Sequence, residues 1–115
     1  IFKPRKMYNL KDLDILNTIK IKSITFDKLI EKYNIDYKNC KNLIIDTQGC
    51  ELKVLIGLSD DKLQYINTIK TEISRVPYYE NGVLFPEINN YLISKQFYLK
   101  NNTKKNHGDV IFERL

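Results

Sequence analysis

Asp46 follows the apolar run Leu43-Ile44-Ile45, and Glu51 comes after it across the turn residues Thr47, Gln48, Gly49 and Cys50. An apolar run, an acid, a glycine and a second acid opening a helical pattern read as a strand passing into a helix in an α/β sheet. Ligands of such sheets gather off the carboxyl ends of the strands, where Asp46 stands. A carboxylate there can orient a substrate hydroxyl, hold an amine or act as a base. The same Asp can instead cap the following helix. Glu51 either faces the pocket from the first helical turn or only complements the helix dipole. Gln48 and Gly49 shape the turn, Gly49 through a positive φ or a close backbone approach.

Glu72 is the second candidate acid. The stretch Thr68-Ile69-Lys70-Thr71-Glu72-Ile73-Ser74 alternates with period two and reads as a strand. Adjacent parallel strands lie about 4.8 Å apart, so Glu72 near the end of one can stand beside Asp46 at the end of the other. Two acids so placed can share a divalent cation or hold a substrate hydroxyl and its proton. The second is taken here, and no metal is assigned. The plainer reading of Glu72 is a rim carboxylate paired with Arg75 or a lysine. Tyr78 and Tyr79 either line an acceptor pocket or pack their loop on the sheet edge. His107, the one histidine, sits in a polar hairpin loop beside Gly108, where it can act as a catalytic base or, on the plainer reading taken here, is a solvated loop residue. Ser74 has no base near it in sequence, so nucleophilic catalysis is unsupported.

Several elements must position these residues. Ile19, Ile21, Ile24 and Phe26 alternate with polar residues and predict a short strand. Ser23 or Thr25 then caps a helix with Phe26, Leu29, Ile30 and Tyr33 as its apolar stripe. Asn34 to Asn39 is a polar loop. Residues 42–46 predict a strand buried on both faces, as parallel strands are. Glu51 to Leu58 predicts a helix with Leu52, Leu55 and Ile56 inward, and Ser59 opens a further short turn. Pro86 marks the start of a helix over 84–95, with Ile88 and Leu92 inward. Residues 96–100 and 109–113 are two strands whose short link makes them an antiparallel hairpin. The order is strand, helix, strand, helix, hairpin, with the first strands parallel through a right-handed crossover.

The composition narrows the function classes. The 115 residues form one domain at most, with 43% hydrophobic and 29% charged content. No apolar run approaches the roughly 20 residues of a membrane-spanning helix, and no signal peptide is visible, so a cytoplasmic protein off the membrane is expected. The net charge is +5, from 19 Lys and Arg against 14 Asp and Glu. Only Arg5, Arg75 and Arg114 are arginines, the lysines are scattered, and no nucleic-acid motif accompanies them, so nucleic-acid binding is not expected. Cys40 and Cys50 have neither zinc nor redox spacing and read as free thiols of a reducing compartment.

The string IIDTQGCELKVLIG resembles the strand-turn-helix signature of the FkbM family of S-adenosylmethionine-dependent methyltransferases. That signature runs apolar, apolar, Asp, any residue, Glu or Gln, Gly, Ala, Glu, then a helix ending in Leu-x-Gly. Ser23-Ile24-Thr25-Phe26-Asp27-Lys28-Leu29-Ile30 is similar to the family's Thr-Leu-Asp-Asp-Leu segment. Glu72 fits its later acid, Tyr79-Glu80-Asn81-Gly82 its Leu-Tyr-Glu-Gly loop, and Gly108-Asp109-Val110-Ile111-Phe112 its closing strand. Phe2-Lys3-Pro4 resembles a linker before the second half of the domain. Phe26, Lys28 and Cys50 depart from the usual Leu, Asp and Ala. None of the four glycines, Gly49, Gly57, Gly82 and Gly108, makes the family's glycine-rich cofactor turn.

The resemblance implies an α/β fold: a partial Rossmann-like class I methyltransferase sheet of parallel strands with a C-terminal antiparallel hairpin. Residues 1–22 are then a linker with a short strand, and residues 23–115 the C-terminal half of a methyltransferase domain. It implies S-adenosyl-L-methionine as cofactor and methyl transfer to a hydroxyl of a sugar, a glycan or another small acceptor. Asp46 and Glu72 carry the chemistry, and Gln48, Gly49, Glu51 and Tyr79 lie near substrate or cofactor. Alone, such a half is expected to be inactive and to self-associate through an open sheet edge. The rival is a non-catalytic remnant or interaction module that keeps the half-fold.

Overall fold

The computed structural model describes residues 15–115. The Phe2-Lys3-Pro4 linker and most of the 1–22 segment lie outside the described residues. Helix α1 (Phe26–Lys32) opens at Thr25, whose side chain accepts the Lys28 N–H. The strand expected over Ile19–Phe26 is absent: residues 15–25 form no regular element, and Ile19, Ile21 and Ile24 are exposed. Alternation specifies a strand only when one of its faces is buried, and here neither is.

Strand β1 (Asn42–Ile45) leads through the turn at residues 46–50 into α2 (Glu51–Ile56) and α3 (Asp60–Leu63). Strand β2 (Thr68–Ser74) follows, then a loop, α4 (Phe85–Ser94), β3 (Phe97–Asn101) and β4 (His107–Arg114). Pro86 lies in the first turn of α4, where a missing N–H costs nothing, and Glu87 accepts the Leu84 N–H at 2.9 Å. A short 3-10 turn, Tyr37–Asn39, interrupts the expected polar loop, with Tyr37 set edge-on against Tyr65.

The fold is α/β with a mixed four-stranded sheet in the order β1-β2-β4-β3. Strands β1 and β2 are parallel, and β4 is antiparallel to both β2 and β3. The expected hairpin forms, and its second strand inserts beside β2. Ile45 on β1, Ile69, Thr71 and Ile73 on β2, Val110 and Phe112 on β4, and Phe97 on β3 share the buried face. Leu55, Ile88 and Leu92 from the helices complete that core, each such side chain contributing roughly 1.5–3 kcal/mol by leaving water. Arg114 fastens the end of β4, stacking on Phe97 and donating to the carbonyls of Leu63, the last residue of α3, and of Ile66 in the link to β2.

Two burial expectations are corrected. Strand β1 is buried on one face only, because Ile44 points away from the core and is 73% exposed. Among the described residues nothing covers that second face of the sheet at β1. Ile56, the last residue of α2, and Tyr33, just past α1, are also exposed, whereas Leu58 beyond α2 is buried in the core. No helix among the described residues is long and apolar enough to cross a membrane.

Candidate functional site

The register that pairs Ile45 with Thr71 brings Asp46 level with Glu72 at the carboxyl ends of β1 and β2. The two acids do not touch; Gln48 stands between them. Its side-chain amide nitrogen donates to Asp46 Oδ1 at 2.7 Å and to Glu72 Oε2 at 3.1 Å. Its carbonyl oxygen accepts the Tyr79 hydroxyl. One amide thus spends both hydrogens on carboxylates and its acceptor on a phenol. Gln48 reaches this place from a left-handed backbone, φ 52°, followed by Gly49 at φ 100°. A side chain at Gly49 would be strained, which accounts for the glycine.

Glu51 has turned back into the same turn. It is buried, and its carboxylate accepts from Thr47 N–H at 3.0 Å, Thr47 Oγ1 at 3.2 Å and Gly49 N–H at 3.1 Å. It acts as the peg on which the loop is wound. Of the site residues named from sequence, Asp46, Gln48, Glu72 and Tyr79 therefore meet directly, while Gly49 and Glu51 set the backbone beneath them.

The loop 76–84 brings Tyr79 over this turn. Val83 N–H donates to Gly49 O at 3.1 Å, and Gly82 approaches so closely that a Cβ would lie 3.1 Å from Tyr79 Cβ and 3.6 Å from Gly49 Cα. Burial, and then the charges of Glu72, Glu51 and Asp46, raise the Tyr79 hydroxyl above its ordinary pKa, so it stays a donor.

One partner of Glu72 was invisible in the sequence. His107 lies in β4, not in a loop, and pairs across the ladder with Ser74. Its Nε2 is 2.9 Å from Glu72 Oε1, and its Nδ1 is 2.7 Å from Ser74 Oγ. The Tyr78 ring meets the imidazole edge-on at 4.9 Å. Arg75, the cation expected beside Glu72, is directed elsewhere, donating to Lys105 O and Asn102 Oδ1 in the β3–β4 link. Finding His107 from sequence requires knowing that β4 inserts next to β2, and no local pattern carries that.

Burial pushes the Glu72 carboxyl above the usual glutamate value; His107 opposes this, and Asp46 and Glu51 add to it. Both oxygens of Glu72 are engaged, whereas Asp46 uses only Oδ1 among the described residues. Asp46 is exposed, so Oδ2 is the acceptor open to a ligand. A shallow cleft lined by Ser74, Tyr78, Tyr79 and Gly82 opens beside the group, with about 150 Å³ of empty space. No group of three or more potential metal ligands occurs among the described residues.

In comparisons with known proteins, the family model for the methyltransferase FkbM domain matches residues 1–109. No curated protein and no solved structure matches.

Proposed function

The chain belongs to the FkbM methyltransferase family, whose activity is methyl transfer, and from that premise we propose S-adenosylmethionine-dependent O-methylation of a small hydroxylated acceptor such as a sugar. The observation that carries this reading is the Asp46–Gln48–Glu72 bridge at the carboxyl ends of two parallel strands, where α/β sheets bind ligands. Its donor set fits such ligands: carboxylates suit an ammonium group or a hydroxyl, and an amide and a phenol add neutral hydrogen bonds. When bound, S-adenosylmethionine supplies a methyl group on a cationic sulfur.

The chain's own residues do the positioning. Asp46 offers Oδ2 to a hydroxyl or amine, Gln48 holds the two acids apart, and Tyr79 closes the side of the cleft. Fixing the acceptor oxygen in line is worth more than any single contact, because orientation replaces a bimolecular search. In this reading the sheet is the hairpin-ended half of a Rossmann-like methyltransferase fold. The glycine-rich turn that would cradle the cofactor is not among these 115 residues.

Calorimetric titration of the full natural chain with S-adenosylmethionine tests the proposal, followed by mass spectrometry of candidate acceptors for methyl gain. Binding that weakens at least tenfold in Asp46→Asn supports it; no heat at millimolar cofactor rejects it. The edge of β1, unpaired among the described residues, and its exposed Ile44 favour a second reading, an interaction module that pairs through that edge. Concentration-dependent dimerisation without cofactor binding would select it.

A further inference from the structure

Glu72, His107 and Ser74 form a hydrogen-bonded row that the acid–amide bridge does not need. Each member is set by the ladder. Glu72 and Ser74 are two apart on β2 and share the face opposite the core, and His107 is the direct cross-strand partner of Ser74. The imidazole is held at both nitrogens and flanked by the Tyr78 ring. An ionised Glu72 can only accept, so its contact with His107 requires hydrogen on Nε2. Nδ1 of the neutral ring is then a bare lone pair, and Ser74 donates to it. A hydroxyl oxygen thus already sits 2.7 Å from a basic nitrogen whose tautomer is fixed from behind by a carboxylate.

We propose that His107 is the base that takes the acceptor's proton, with Glu72 as its positioning residue. The inference rests on the methyl-transfer reading. An acceptor hydroxyl displaces Ser74 from Nδ1 or passes its proton through the serine oxygen. The O–H bond breaks, its electron pair goes to the bond forming between oxygen and the methyl carbon, and the methyl's former bonding pair stays with its leaving group. The proton rests on Nδ1, and the imidazolium is balanced by Glu72 until the half-exposed ring returns the proton to water. Asp46 keeps a binding role, because its one engaged oxygen faces Gln48 and not the imidazole.

The groups that face the ring are Glu72 from β2 and Tyr78 from the loop, with Asp46 one amide further away. Asp109, two residues along β4, is drawn off to Lys70 at 2.9 Å. His107 is the one histidine of these 115 residues, and in the full natural chain nitrogen-detected NMR identifies its ring as the signal lost in His107→Gln. Whenever its ring is neutral, the full natural chain is expected to show hydrogen on Nε2 and a bare Nδ1, and Glu72→Gln to erase that preference. In turnover, His107→Gln should lose about 100- to 10,000-fold in kcat while the cofactor's calorimetric affinity stays unchanged. A ring with hydrogen on Nδ1, or one unaltered by Glu72→Gln, overturns the proposal whatever the activity. His107→Gln turning over at the wild-type rate overturns it alone; a wild-type chain giving no heat with S-adenosylmethionine removes the underlying reading and this one with it.

Discussion

Glu51 takes the Gly49 N–H on both of its carboxylate oxygens, each at 3.1 Å. With Thr47 N–H and Oγ1 on the same carboxylate, the first residue of α2 fixes the turn that carries Gln48. Removing it strands donors that have no other partner, so Glu51→Ala should cost about 2–3 kcal/mol of stability. Glu51→Gln keeps an accepting oxygen and should cost about half as much. Urea denaturation midpoints check both, and an unchanged midpoint in Glu51→Ala would show that the turn holds itself.

Gln48→Ala leaves Asp46 and Glu72 facing each other with no donor between them. Glu72 already has a raised pKa from burial, so ionising it works against the fold. A raised carboxyl contributes most below its unfolded value and loses that contribution as pH rises through the folded value. The penalty of Gln48→Ala, about 1 kcal/mol, should therefore be largest at neutral pH. It should shrink as pH falls below the ordinary glutamate value of 4.5. Melting temperatures of variant and wild type across that range give the test; a pH-independent gap would contradict the coupling.

Ile44 and Leu55 are both apolar and belong to the same signature, yet the fold uses them in opposite ways. Ile44 is 73% exposed and Leu55 fully buried. Ile44→Thr should change stability by no more than about 0.5 kcal/mol. Leu55→Ala should cost roughly 2–5 kcal/mol. Thermal unfolding of the two variants separates them, and a large loss in Ile44→Thr would mean that this face is covered.

The same contrast shows what the sequence carried. Period-two and helical spacings located β2, α4 and the hairpin, and the glycine turn located Asp46, because these signals are local. Strand order is not local. The insertion of β4 between β2 and β3 is decided by burial of Val110 and Phe112 against Ile69 and Thr71, and it is this insertion that delivers His107 to Glu72. The segment 19–26 failed in the opposite sense: its alternation is strand-like, but it finds no strand to pair with among the described residues, and Thr25 starts a helix instead.

Asp27 ties the helical layer together from the first turn of α1. It accepts the Ser59 N–H at 3.0 Å and meets Lys62 Nζ at 3.4 Å, joining α1 to the start of α3. Burial alone would raise its pKa, but the Ser59 bonds and then the Lys62 charge outweigh it and hold the carboxyl below 3.8. A lowered carboxyl stabilises the fold above its unfolded value, and that contribution is lost as pH falls through the folded value. Asp27→Ala should thus cost about 1–2 kcal/mol at neutral pH, where a charged acceptor is removed. The difference from wild type should close below pH 3.8 as the wild-type carboxyl protonates. Chemical denaturation at neutral and acidic pH measures it, and a gap that persists undiminished in acid would place the loss in packing and not in the charge.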